Sequence, residues 1–122
     1  MEMKRGKIIL TVTFLFVFFF ILCKGNTVFA TSGRAVFKSK GCINCHTING
    51  AGGKAGPNLS NIGARKSIEW LKDFIKNPDS YFNPGSSALI NGKEYIVMMP
   101  SFKNMLSEGK LNAVAGYLGS LK

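Results

Sequence analysis

Hydrophobic residues recur at helical spacing in three segments of the chain and form one unbroken run near its start. The spacing predicts helices over Gly33–Lys40, Ser67–Asn77 and Ser107–Leu121. The unbroken run, Ile8–Cys23, contains 16 residues without a charge. The pattern therefore predicts a small helical domain that follows a separate apolar segment.

The segment from Ser67 to Asn77 has the clearest helical pattern. Its large apolar residues fall on one face at spacings of one, three and four: Trp70, Leu71, Phe74 and Ile75. Ser67 can cap the first turn, and Pro78 ends the helix because the residue before a proline avoids helical backbone angles. Trp70 is expected to pack in the core. The alternative is that its indole N–H binds a prosthetic group.

The first and last predicted helices are expected to pack against each other. The last begins after Ser107, a suitable capping residue, and its apolar residues recur three and four apart: Leu111, Val114, Ala115 and Leu118. The first is short. Phe37 is its expected buried residue, and Gly41 is expected to end it in the left-handed backbone conformation. Because Gly33 and Gly116 lack side chains, we expect both to lie where the two helices cross.

Glycine and proline interrupt the chain between these helices. Residues 47–63 include five glycines and Pro57, which exclude a long regular element there. The stretch before the last helix is also loop-like. Its Asn91-Gly92 pair predicts a tight turn that joins short strands around Ala88–Ile90 and Tyr95–Val97.

The N-terminal run has the layout of a secretory signal. Basic residues precede it, and Val28-Phe29-Ala30 follows it, with short side chains at the two positions that a signal peptidase reads. We therefore expect residues 1–30 to be a signal peptide and residues 31–122 to be one exported domain, periplasmic or otherwise extracytoplasmic. The alternative is a retained membrane anchor, although 16 helical residues span about 24 Å against ~30 Å of hydrocarbon.

The predicted domain is small and basic. Residues 31–122 contain 12 lysines and arginines and five acidic residues, so the net charge is near +7. A surface of this sign favours protein partners with acidic docking surfaces. Nucleic acid is not expected as a partner because the sequence has no recognition motif for it. A domain of this size is also marginal if it relies on apolar burial alone.

The strongest chemical signal is the sequence Cys42-Ile43-Asn44-Cys45-His46. Its C-x-x-C-H spacing is used to attach c-type haem, because two thiols separated by two residues reach the two vinyl groups of one porphyrin. The histidine that follows can then ligate the iron. A zinc site would lack ligands, since His46 is the only histidine and the third cysteine, Cys23, lies in the predicted signal. A thioredoxin-like pair would need a βαβ context that the chain does not offer.

A second iron ligand is expected from the sequence Met98-Met99-Pro100. A thioether suits the sixth position of a haem iron, and His/Met ligation is a common arrangement for electron transfer. Met99 is the preferred ligand because Pro100 would stiffen the loop that presents it. Met98 and Met105 are the alternatives.

The loop Gly56-Pro57-Asn58-Leu59 has two possible interpretations. It is either an ordinary surface loop or the segment that fixes His46, because a ligating histidine usually donates its second ring N–H to a carbonyl or carboxylate. A proline in a tight loop holds its carbonyl rigidly enough for that purpose. The residues alone leave both interpretations open.

With these motifs in place, residues 31–122 resemble a class I monohaem cytochrome c over nearly their full length. The resemblance rests on the haem motif, Gly56-Pro57-Asn58-Leu59, the helix of Trp70, and Met99-Pro100-Ser101-Phe102. It implies an all-α fold, with three to five helices wrapped around one haem c that is covalently bound through Cys42 and Cys45. It further implies that the Pro57 carbonyl accepts a hydrogen bond from Nδ1 of His46 and that Leu59 packs on the ring.

The expected function is one-electron transport and not catalysis. With His46 and Met99 as axial ligands, no iron position remains open for a substrate, so we expect a periplasmic carrier that shuttles electrons between respiratory redox partners. The alternative is a membrane-anchored cytochrome c subunit of a terminal oxidase or nitrogen-oxide reductase, which requires that residues 1–30 are retained. An enzyme or gas sensor would require an absent or labile bond between Met99 and iron.

Overall fold

The computed structural model describes residues 32–122, which form four α-helices and two antiparallel hairpins. The helices are α1 (Gly33–Ser39), α2 (Cys42–Cys45), α3 (Ile68–Lys76) and α4 (Glu108–Ser120). Two short 3-10 helices lie at Ile62–Ala64 and Pro78–Ser80. The predicted signal peptide, residues 1–30, lies outside the described residues. Between residues 32 and 122, no helix has both the length and the apolar character that a membrane crossing requires.

The three helices predicted from the hydrophobic pattern are present, and their bounds agree to within one residue at each end. Ser67 and Ser107 cap α3 and α4 by accepting hydrogen bonds from the backbone N–H groups of Trp70 and Lys110. Ser32 caps α1 in the same way, which the apolar spacing does not indicate. α2 is one turn long and is not predicted by that spacing.

Two short antiparallel hairpins supplement the helices. They pair β1 (Thr47–Ile48) with β2 (Ala51–Gly52) and β3 (Ser87–Ile90) with β4 (Lys93–Ile96). The second hairpin turns at Asn91 and Gly92 as predicted, and both have positive φ angles, 52° and 77°. β4 begins at Lys93 and not at Tyr95, because a two-residue turn lets Ile90 pair directly with Lys93.

Helices α1 and α4 cross through a close contact at Gly33. Their buried residues form most of the core: Val36, Phe37, Leu111, Val114, Ala115 and Leu118. A Cβ at Gly33 would overlap the carbonyl oxygen of Ala113, so any other residue there forces a shift. The prediction that Gly116 lies at the crossing is wrong, because a Cβ on Gly116 would have nothing within 4 Å. The contact face of α4 runs through Ala113 and Tyr117, and Gly116 is rotated about 100° from Tyr117.

We expect Gly33→Ala to lower the free energy of unfolding by about 1–3 kcal/mol, the usual cost of overpacking a tight contact. Gly116→Ala is the matched control, because it adds the same methyl group to a helix at a place with open space. It should raise the free energy of unfolding by about 0.5–1 kcal/mol, since alanine favours a helix over glycine. Equilibrium denaturant unfolding measures both effects, and equal midpoints would contradict the crossing at Gly33.

Candidate functional site

Helix α2 holds the two cysteines of the C-x-x-C-H motif one helical turn apart. Gly41 precedes α2 in the left-handed conformation (φ 76°), which ends α1 and turns the chain into α2. The backbone N–H of His46 donates to the carbonyl oxygen of Cys42 at 2.9 Å. Both thiols are free, and burial raises the pKa of the Cys42 thiol above its usual value. The helix therefore holds two unpaired thiols close enough to react with one and the same bound group.

The imidazole of His46 is fixed by the loop that contains Pro57. Its Nδ1 lies 2.8 Å from the carbonyl oxygen of Pro57, and because a carbonyl only accepts, Nδ1 carries the hydrogen. In the neutral ring Nε2 is then unprotonated, with its lone pair available to a metal. Burial lowers the pKa of His46, which favours this neutral form, while the hydrogen bond to Pro57 acts in the opposite direction.

The backbone of Gly56 lies directly against the imidazole ring of His46. A Cβ at position 56 would lie 2.7 Å from Cε1 and 2.9 Å from Nδ1 of His46, so a side chain there would displace the ring. The Gly56 N–H also donates to the carbonyl oxygen of Cys45 at 2.8 Å, and the Gly53 N–H donates to that of Ile43 at 2.8 Å. These bonds attach the glycine-rich loop (residues 47–63) to α2. Together with the contact at Gly56 they fix the orientation of the His46 ring.

The six residues predicted for the site border one cavity of about 770 Å³. They are Cys42, Cys45, His46, Pro57, Leu59 and Met99. The remaining wall is mostly apolar and includes buried residues of α1, α3 and α4, among them Phe37, Leu71, Ile75, Val114 and Leu118. Pockets of roughly 300–1,000 Å³ with mainly apolar walls are typical of cofactor sites. The six residues are thus brought together by the fold although they span positions 42 to 99.

Positive charge also borders the cavity. Its wall includes Lys40, Arg65 and Lys66, and no aspartate or glutamate of residues 32–122 borders it. Arg65 and Lys66 were not predicted to border the cavity, and their only signal in the sequence is a basic pair shortly after the glycine-rich residues 47–63. The cavity therefore suits a large apolar group with negative charge at its edge. A haem, with its flat apolar ring and two carboxylates, fits this description.

The three methionines considered as iron ligands differ in their positions. Met99 is half-buried, packs against the core and borders the cavity. Met98 also borders the cavity but is 66% exposed. Met105 is 46% exposed and does not border it. Of the three side chains, Met99 is the one whose burial and position suit a metal ligand.

The segment that follows Met99 is anchored to the end of α3. The backbone N–H of Phe102 donates to the carbonyl oxygen of Ile75 at 3.1 Å. The Ser101 hydroxyl donates to the carbonyl oxygen of Lys76 at 2.5 Å. Phe102 is itself buried in the core. These contacts hold the segment beside the cavity wall and limit the movement of Met99.

Trp70 packs against the core on one side and borders the cavity on another. Its ring stacks on Phe74 with centroids 4.8 Å apart, and the Lys66 ammonium lies 4.2 Å from its centroid. The Tyr81 ring lies in an edge-on arrangement with the Trp70 ring, with centroids 5.3 Å apart, and its hydroxyl donates a hydrogen bond to the Asp73 carboxylate at 2.6 Å. The indole is therefore fixed in the wall by aromatic contacts. Trp70 thus packs against the core as predicted, and a bond from its indole N–H to a prosthetic group remains the alternative.

The fold and the site together define a small helical domain that encloses a cavity suited to a covalently held haem. A family model described as cytochrome c matches residues 30–122. The chain belongs to the cytochrome c family. Members of this family carry electrons between redox proteins, and their haem c, with its iron, is covalently attached.

The similar proteins include both oxidase subunits and small cytochromes. Cytochrome c oxidase subunit 2 of Alkalihalophilus pseudofirmus is 36% identical over 94 residues, 76% of this chain and 26% of that protein. The same subunit of Bacillus subtilis is 27% identical over 106 residues, so the chain spans about a quarter of both subunits. Cytochrome c of Nigella damascena is 33% identical over 84 residues, 52% of this chain and 74% of that protein. No solved structure matches the chain.

Proposed function

We propose that the chain is an exported one-electron carrier that holds one haem c through Cys42 and Cys45, with His46 and Met99 as the axial ligands of its iron. The observation that supports this most strongly is that the four side chains border one cavity. When bound, the haem supplies reversible one-electron exchange between ferrous and ferric iron.

Different residues of the site would contribute to this function in different ways. The Pro57 carbonyl orients His46 and holds its ring in the tautomer that a metal requires. Leu59 would contact a bound porphyrin, and the apolar wall would exclude water from it, which favours the less charged state of the metal centre. The three cations of the wall would be available to offset the two carboxylates of a haem.

Transport is proposed and not catalysis, because two protein ligands leave no iron position open for a substrate. The carrier would act outside the cytoplasm, after removal of residues 1–30, and would shuttle electrons between respiratory proteins. Its net charge near +7 over residues 31–122 would steer it toward acidic docking surfaces, and this association should weaken as salt is added.

A second candidate is a membrane-anchored cytochrome c subunit of a terminal oxidase or nitrogen-oxide reductase. The similarity to two oxidase subunits favours it. The anchor would have to be the run Ile8–Cys23, which contains 16 residues without a charge. The soluble carrier is preferred because such a run is shorter than the roughly 20 residues that a membrane-spanning helix needs.

The intact mass of the protein isolated from cells that export it separates the two candidates. The carrier predicts the mass of residues 31–122 plus one haem, in the soluble fraction. The anchored subunit predicts the full chain plus one haem, in the membrane fraction. A mass without haem would contradict both, because each requires thioether bonds at Cys42 and Cys45.

A further inference from the structure

We propose that Ser101 is a positioning residue that holds Met99 in place as an iron ligand and thereby keeps small nitrogen ligands off the ferric iron. Its hydroxyl joins the segment that carries Met99 to the end of α3. This inference rests on the carrier function proposed above and adds the residue that controls how readily the iron opens to another ligand.

The end of α3 offers a free acceptor to this segment. The last carbonyl oxygens of a helix have no hydrogen-bond donor within the helix. The backbone N–H of Ser80 would donate to the Lys76 carbonyl if the helix continued, but it donates to the carbonyl oxygen of Asn77 at 3.1 Å. The Lys76 carbonyl oxygen accepts instead from the Ser101 hydroxyl at 2.5 Å. The hydroxyl therefore completes the hydrogen bonding of the helix end.

Met99 lies in a short connection between two anchored points. On one side, the backbone N–H of Val97 donates to the carbonyl oxygen of Ser86 at 2.9 Å. On the other side, Ser101 is bound to α3. Within the described part of the chain, residues 98–100 take part in no hydrogen bond between backbone groups. The position of the Met99 backbone therefore depends on these two anchors.

Pro100 transmits the position of Ser101 to Met99. Its ring fixes φ near about −65°, so one backbone angle is left free where most residues have two. The oxygen of the Ser101 hydroxyl also accepts a longer hydrogen bond, at 3.4 Å, from the backbone N–H of Lys103. The hydroxyl is thus held by two backbone groups, and a shift of Ser101 would shift Met99.

The Ser101 side chain lies outside both the cavity wall and the core. It is exposed and does not border the cavity, whereas Pro100 and Phe102 do. Phe102 is bound to the Ile75 carbonyl through its backbone and its ring is buried, so the segment stays docked when Ser101 is replaced. Removing the hydroxyl therefore leaves the cavity wall intact and loosens the anchor next to Met99.

A looser anchor favours the form of the ferric protein in which the Met99 thioether has left the iron. A thioether ligand favours ferrous iron, so the ferric state is the one in which it is displaced more easily. Imidazole is a suitable ligand for iron and needs an open axial position. Because the apparent affinity of a ligand scales with the population of the form that binds it, imidazole affinity reports how firmly Met99 is held.

A titration of the ferric, haem-loaded protein with imidazole, followed by visible spectroscopy, tests this proposal. Ser101→Ala removes the hydroxyl, and Ser101→Thr retains one. Ser120→Ala is the matched control, because the Ser120 hydroxyl donates to the Tyr117 carbonyl oxygen at 2.6 Å. This is the same kind of bond at the end of a helix, but Ser120 does not border the cavity.

We expect Ser101→Ala to bind imidazole about three- to tenfold more tightly than the unaltered protein, the effect of one hydrogen bond. Ser101→Thr and Ser120→Ala should bind it as weakly as the unaltered protein. An unchanged affinity in Ser101→Ala would overturn the proposal. An equal gain in Ser101→Thr would also overturn it, because the hydroxyl would not be the cause. An equal gain in Ser120→Ala would do the same, because the effect would then come from a general loss of stability.

Met99→Ala, titrated in parallel, separates this proposal from the carrier function. If the unaltered protein binds imidazole as tightly as Met99→Ala, Met99 is not an iron ligand, and the six-coordinate carrier fails together with the role of Ser101. If the unaltered protein binds imidazole much more weakly than Met99→Ala and Ser101→Ala matches the unaltered protein, the carrier function stands and only the role of Ser101 is wrong.

Discussion

Replacing Met99 with alanine is expected to abolish the low-spin ferric spectrum of the haem-loaded protein and to let the reduced protein bind carbon monoxide. Met99 is half-buried at the cavity, in a segment anchored to α3 by Phe102 and Ser101. Alanine cannot reach a metal from this position, so one axial site would open. The midpoint potential should also fall, because a thioether ligand favours ferrous iron. Visible spectroscopy and a redox titration measure both changes.

Met98→Ala is the matched control for this substitution. It removes an identical side chain from the adjacent position, where the thioether is largely exposed. The spectrum, the potential and the lack of carbon monoxide binding should therefore stay as in the unaltered protein. If Met98→Ala opens an axial position of the iron while Met99→Ala leaves the low-spin spectrum intact, Met98 and not Met99 is the ligand.

Replacing both haem-motif cysteines, as Cys42→Ser/Cys45→Ser, is expected to eliminate covalently bound haem and most of the folded protein. The cavity of about 770 Å³ lies among the helices that form the core. Without the haem, the apolar side chains that line this cavity lack a packing partner, and the loss is large against the ~5–15 kcal/mol that stabilises a typical domain. Without the haem, the apolar walls must collapse or take up water. The domain should then be lost to proteolysis.

Haem staining of a denaturing gel, with an immunoblot of the same samples, measures this outcome. Cys23→Ser is the control, because Cys23 lies in the predicted signal peptide and has no role in attachment. It should leave both the haem stain and the protein level unchanged. Covalent haem on the double variant would contradict the attachment proposed for Cys42 and Cys45.

Local chemistry explains what could be predicted from the sequence. The caps at Ser67 and Ser107, the helix end before Pro78 and the turn at Asn91-Gly92 depend on residues that are neighbours in the chain. The residue spacing of the C-x-x-C-H motif likewise fixes how far apart its thiols can lie. These features appear in the structure at the expected places.

Features that depend on contacts between distant segments were missed or misplaced. Gly33 and Gly116 look equivalent in the sequence, but only Gly33 meets a backbone from another helix. The apolar spacing gives no sign that Arg65 and Lys66 border the cavity, since their position depends on how the loop returns to α3.

The central claim is a closed, six-coordinate haem that only exchanges electrons. A spectroscopic redox titration of the unaltered protein, with and without carbon monoxide, tests it most directly. We predict a single reversible one-electron transition, a ferric spectrum with the weak long-wavelength band of a bond between methionine and iron, and no effect of carbon monoxide on the reduced form. Carbon monoxide binding that shifts the reduced spectrum and raises the potential would contradict the account, because it would reveal an open iron position.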